Sequence, residues 1–259
     1  MDAAAGRADH AGMDDIVDWM NWGVLGWVAG SFVLAGFVKG VAGMGLPTLA
    51  MALLSLRLPA ASAATLMLLP ALLTNVAQCM GRHGGVLLRR LWPLWLGLVL
   101  GTLFAPVPGL GGGSAQRTLG AVLAGYGLLG LARLHLPAPG RHAGWLGLLA
   151  GALGGALSAA TGVFVMPLVP YLQALQLARE ALIQALGISF MLASLALAAR
   201  LGGLEAAAPP DAAASGIALL AALAGMALGA RLRQRLPAAL FQRALHGVFL
   251  LLGLLMLAR

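Results

Sequence analysis

The chain has 259 residues, of which 61% are hydrophobic and 9% charged, with a mean hydropathy of +0.93. A water-soluble domain of this length cannot hide so much apolar surface, so the composition makes a lipid bilayer the chain's main partner. The net charge of +8 comes from basic residues scattered in short connections between apolar runs, which excludes a nucleic-acid-binding role.

The first segment, 1–18, carries Asp2, Asp9, Asp14, Asp15 and Asp18. A secretory leader begins basic, so this acidic stretch reads as an external tail ahead of a retained helix. Ten apolar segments follow, five in each half. In a first repeat over 19–135 they fall near 19–38, 42–56, 60–80, 87–107 and 116–134. A linker at 136–144, LPAPGRHAG, is rich in turn-forming residues. In a second repeat over 145–259 the segments fall near 145–160, 163–175, 179–200, 213–230 and 238–257. A full crossing takes roughly 20 helical residues. Segments 42–56, 145–160 and 163–175 are short for that, and read as tilted short helices or re-entrant arms.

The halves resemble each other. A gap-free slide of 119 positions superposes Gly36 on Gly155, Gly43 on Gly162, Leu49 on Leu168 and Gly84 on Gly203. An odd number of segments per half puts the halves in opposite orientations, and the charges agree. The loop Arg82–Arg90 is basic, whereas its counterpart Arg200–Asp211 is net acidic. Arg117 stands alone in the next loop, whereas its counterpart Arg231–Arg235 is RLRQR. Charge that swaps sides between equivalent loops is expected of an inverted-topology repeat. The predicted fold class is therefore an all-α polytopic membrane protein of 8–10 helices, some short or broken. The basic excess places both termini on the outer face.

Each half interrupts an apolar run with glycine and proline, at GFVKGVAGMGLPTLAM (Gly36–Met51) and GALSAATGVFVMPLVP (Gly155–Pro170). Paired breaks of this kind point to a transport site. Where a helix restarts, backbone N–H groups lack helical partners and the helix end is partly positive, which suits a small anion. Gly43, Gly45 and Pro47 would shape one such start, with Pro47 in its first turn. Thr161, as N-cap, Gly162 and Pro167 would shape the other. The alternative role for the glycines at 36, 40, 43, 151 and 155 is close helix packing.

Lys39 has two readings. As the end of a helix over Trp19–Val38 it snorkels to the inner interface. If the helix stops at Gly36, it faces a cavity beside the first break and favours an anion. Asn75 and Gln78 share a face of the third segment, and Gln184 and Ser194 lie in the eighth. These four line the path or tie helices together. Asn75 and Ser194 are equivalent under the 119-residue slide, which favours the path.

No acidic residue lies between Asp18 and Glu180, and no Cys/His metal spacing occurs. The GLGGG run at Gly109–Gly113 lacks the Lys-Ser/Thr of a phosphate loop. The sequence therefore predicts no enzyme, no cofactor and no metal. His246, the one histidine inside a segment, reads as a packing residue.

The first break, the Leu-Pro-x-x-x-Ala turn at Leu58–Ala63 and the second copy at Ser158–Ala181 together resemble the TauE/SafE family of sulfite exporters. The second copy has Ala159, Ala160 and Thr161 where the family usually has glycines. The resemblance implies a bacterial inner-membrane carrier of sulfite, organosulfonates or related small anions. The expectation is export of such an anion by alternating access. The alternative is an integral-membrane scaffold or assembly subunit without a transport cycle.

Overall fold

The computed structural model describes residues 21–107, 110, 114–132, 137–202, 212–235 and 237–258. The acidic segment 1–18 and the acids Glu205 and Asp211 lie outside them. Among the described residues there are ten α-helices: α1 Trp22–Ala42, α2 Leu46–Leu54, α3 Ala60–Cys79, α4 Gly84–Phe104 and α5 Ser114–Leu131, then α6 Ala143–Thr161, α7 Leu168–Ala174, α8 Arg179–Gly202, α9 Ala212–Leu232 and α10 Ala238–Leu257. Seven of the helices, α1, α3, α4, α6, α8, α9 and α10, are long and apolar enough to cross a membrane. In hydrocarbon a helix is the one open-chain form that bonds its whole backbone internally, so apolar runs of this length fold as helices. Leu34, Leu69, Leu96, Leu153 and Leu195 stay exposed on the outer faces, as lipid contact requires.

Helices α2 and α7 start four and five residues later than expected, after the breaks, and two other segments are longer than expected. The helix at α1 does not stop near Val38 or Gly36 but continues to Ala42. It ends there because Gly43 takes a left-handed conformation (φ 78°) and its N–H bonds to the Lys39 carbonyl at 2.7 Å. The segment expected as short at 145–160 is a full helix. A 3₁₀ turn at Gly140–His142 extends α6 to a 22-residue span, because the turn-forming linker itself winds into the helix.

Small residues let the long helices touch backbone to backbone. A Cβ at Gly36 or Gly40 would overlap the main chain of α9 at Ala222 or Met226, and one at Gly225 would overlap Val33. Likewise Gly97 and Gly101 of α4 sit against Leu148 and Ala152 of α6, and Gly151 and Gly155 sit against Leu94 and Leu98. This is the packing role that the sequence allowed for these glycines. The register makes α1 parallel to α9 and α4 parallel to α6. The remaining tight pairs are α3 with α8 and α5 with α10. Gly127 against Leu250 and Gly120 against Met256 make α5 and α10 antiparallel. Exchanging each helix with the one five places on maps this set of pairs onto itself.

The short helices fold back along their predecessors. Gly45 abuts Val38, while Trp27 donates from Nε1 to the Leu53 carbonyl at 3.0 Å. The chain through α2 therefore climbs about 16 Å back along α1. In the second half, the Leu168 side chain lies beside Gly154 and the Tyr171 hydroxyl donates to the Ala143 carbonyl at 2.6 Å. Each short helix returns the chain towards the end where the preceding long helix began.

One end of the bundle gathers Arg82, Arg89, Arg90, Arg141, Arg179 and the Arg231–Arg235 cluster, all exposed at these arginines. Arg57 and Arg117 lie at the other. Arg200 also lies there and is not free: its guanidinium donates to the carbonyls of Thr102, Leu103 and Ala105 at 2.9–3.3 Å. It supplies the donors that the end of α4 lacks.

Candidate functional site

The first break is built from a helix that ends and another that starts three residues on. Gly43 and Gly45 both have positive φ, 78° and 101°, which only glycine adopts without strain. Nothing lies within 4 Å of a Cβ on Gly43, so conformation and not packing requires a glycine there. Pro47 sits in the first turn of α2, where a missing N–H costs nothing. The N–H groups of Leu46 and Thr48 begin this helix without helical partners.

Lys39 lies one turn before Gly43 and is 3% exposed. It does not snorkel. Its ammonium donates to Thr74 Oγ1 at 3.0 Å and to Asn75 Oδ1, both on α3. Gln78, one turn further along α3, donates from Nε2 to the Gly43 carbonyl at 2.6 Å. The lysine, the broken helix and the polar face of α3 thus form one cluster. Among the described residues the lone ion pair joins Arg82 to Glu180 at 3.8 Å between exposed side chains. No carboxylate among the described residues pairs with Lys39.

Several buried polar atoms here have no protein partner: Asn75 Nδ2, Gln78 Oε1 and Thr48 Oγ1 at the first break, with Ser158 and Ser194 hydroxyls in the second half. A buried unpaired polar group costs about 1–3 kcal/mol, so five of them need an explanation.

The second break is differently made. Thr161 is the last residue of α6 and not the N-cap of a new helix. Its hydroxyl donates to the Leu157 carbonyl at 2.6 Å and accepts from the Val163 N–H at 3.1 Å. This local bonding outcompetes capping because no helix starts directly after Gly162 (φ 69°): residues 163–167 are non-helical and the next helix begins at Leu168. Pro167 directly precedes α7, consistent with a restart there. That helix has seven residues, and the Val169 N–H is already bonded to the Val165 carbonyl at 2.8 Å. It offers little of the open helix start that the sequence suggested.

The breaks nevertheless meet. Gly162 abuts the side chain of Met51 on α2. A cavity of about 20 Å³, room for roughly one water, is lined by Met44, Gly45 and Thr48 of the first break and Val165 of the second. Tyr126, Phe190 and His246 are among the other residues that line it. The His246 ring packs on Tyr126 at 5.2 Å, in line with a packing role.

Gln184 does not join the cluster. Its Oε1 accepts from the His83 N–H and its Nε2 donates to the carbonyls of Cys79 and Gly81, all at 3.0 Å. A fully engaged amide of this kind ties α8 to the α3–α4 turn. Ser194 is fully buried one turn beyond Phe190, whose ring touches Phe164 of the second break at 5.2 Å. Ser158 was not singled out from the sequence, although the same slide that pairs Asn75 with Ser194 pairs Lys39 with Ser158. Its own carbonyl accepts from Gly162 N–H at 2.8 Å, as that of Lys39 does from Gly43.

Broken helices that enclose buried polar groups inside a multi-pass helical bundle define a membrane transporter class. The family model described as Sulfite exporter TauE/SafE matches residues 28–256, nearly the whole chain. The chain belongs to this family, whose members are membrane transporters. Comparison with curated proteins and with solved structures gives no match.

Proposed function

We propose that this chain is a secondary carrier of a small anion, and that Lys39 supplies the counter-charge. The observation that carries the reading is a buried ammonium whose described partners are a hydroxyl and an amide, with no carboxylate among them. An unneutralised charge in a low-dielectric interior costs several kcal/mol, and an anion beside it offsets much of that cost. Asn75 and Gln78 orient the anion, while Gly43, Gly45 and Pro47 hold the break open to it. Ser194 and Gly162, with Thr161 and Pro167 framing the second break, mark its route beyond the first.

The substrate class is sulfite or an organosulfonate, and the direction is export from a bacterial cell across its inner membrane. A membrane potential negative inside favours anion exit by about 2.3 kcal/mol per charge per 100 mV, so no ATP site is needed. The arginine-rich end faces the cytoplasm and both termini face out. Alternating access comes from two inverted halves that rock about the breaks. The pairing of helices that survives exchange of the halves supports this reading, as does the return of α2 and α7 in opposite senses. The cavity between the breaks has room for a water but not for an anion, so the breaks separate during the cycle.

Saturable sulfite flux into proteoliposomes by the wild type, lost in Lys39→Met, is the expected result. Correctly inserted protein without flux of any small anion overturns the carrier and leaves the scaffold.

A further inference from the structure

Resting on the carrier reading, we infer that the Lys39 cluster selects a singly charged oxyanion that still carries a proton, of the hydrogensulfite kind, over sulfonates and over dianions. The selection follows from which atoms of two amides are already used. An ammonium only donates, so the Asn75 atom that meets Lys39 is its oxygen. The Asn75 amide nitrogen is left over, buried and without a partner. A carbonyl only accepts, so the Gln78 atom that meets Gly43 at 2.6 Å is its nitrogen. The Gln78 amide oxygen is left over, buried and without a partner. Partner chemistry thus fixes both amide orientations.

The two amides stand three residues apart and share a face of α3. The unused inventory is therefore one positive charge, N–H donors from Lys39 and Asn75, and one acceptor at Gln78. A ligand that completes it carries one negative charge, accepts at two places and donates at one. A hydrogen oxyanion does all three. A sulfonate or nitrate balances the charge but leaves Gln78 Oε1 unpaired. A dianion leaves a buried negative charge over and sets its lone pairs against that same oxygen. The hydroxyls of Ser158 and Ser194 donate or accept equally well and do not disturb this selection.

The test uses the full chain in proteoliposomes at one mildly acidic pH, which holds every protein group in a constant state. The probes are hydrogensulfite, dihydrogenphosphate, methanesulfonate, nitrate and sulfate. Hydrogensulfite flux is expected to exceed methanesulfonate flux about tenfold or more, as an unpaired buried acceptor dictates. Dihydrogenphosphate is expected to outrun sulfate, a tetrahedral ion of similar size. Gln78→Met is expected to close the gap between the two, with hydrogensulfite and methanesulfonate flux within about twofold of each other whatever the overall rate. If that variant does not insert, ligand-induced thermal shifts of the wild type rank the same probes. Flux of all the anions without this order overturns the inference alone, as does an unchanged gap in Gln78→Met. Flux of none overturns the carrier, and the inference falls with it.

Discussion

The Lys39 ammonium is bonded to the Asn75 amide oxygen, joining the last turn of α1 to the polar face of α3 deep in the bundle. A charge held this way weakens the fold that contains it. Burying an ion costs several kcal/mol even after relaxation, and an apolar side chain of similar length does not carry that cost. Lys39→Met is accordingly expected to melt at or above the wild-type temperature while transport disappears. Loss of flux accompanied by a lower melting temperature would make Lys39 a structural residue instead.

Asn75→Ala leaves the ammonium with Thr74 and removes a neutral donor. Anion flux is expected to fall about tenfold or more through a raised KM, with saturable behaviour retained. Kinetics indistinguishable from wild type would take Asn75 off the path.

Gln184 makes three backbone bonds and is buried. Gln184→Leu is expected to cost about 2–4 kcal/mol of stability, and to leave the ranking of transported anions as it was. A changed ranking would return Gln184 to the substrate path.

Glycines differ by what they touch. Gly40→Leu is expected to abolish monodisperse folded protein, because the added side chain meets the α9 backbone at Met226 and Ala230. Gly43→Ala meets nothing but is strained at φ 78°, and is expected to cost about 1–2 kcal/mol. Gly30→Ala, in open space within α1, is expected to be neutral or stabilising by about 1 kcal/mol. Size-exclusion profiles and thermal melts of the three variants separate these outcomes.

The proposed orientation is open to labelling. In a Cys79→Ser background, Arg57→Cys is expected to react with an impermeant thiol reagent on intact cells. Arg82→Cys is expected to react only after permeabilisation. The reverse pattern would invert the carrier in the membrane.

The segments of this chain were legible because hydrocarbon leaves them no other form. Seven of the ten expected segments correspond to helices within three residues at each end, and the two breaks fall where Gly43 and Gly162 turn the chain. The end of α1 was misplaced because a lysine in sequence marks an interface, and only a partner on another helix reveals that it turns inward. Thr161 was misassigned for a related reason: its hydroxyl has both a preceding carbonyl and a following N–H within reach, and local spacing does not rank them.

What the sequence determined by itself is the class: apolar content and segment length require a helical membrane protein, and spacing of glycine and proline requires breaks in both halves. What tertiary structure decided is the make-up of the candidate site. Burial of Lys39, the free atoms of Asn75 and Gln78, and the engagement of Gln184 depend on contacts between residues 35 or more positions apart. Periodicity reports which face of a helix is polar. Which polar atom is spent on the fold and which is left unpaired is decided only when the helices pack.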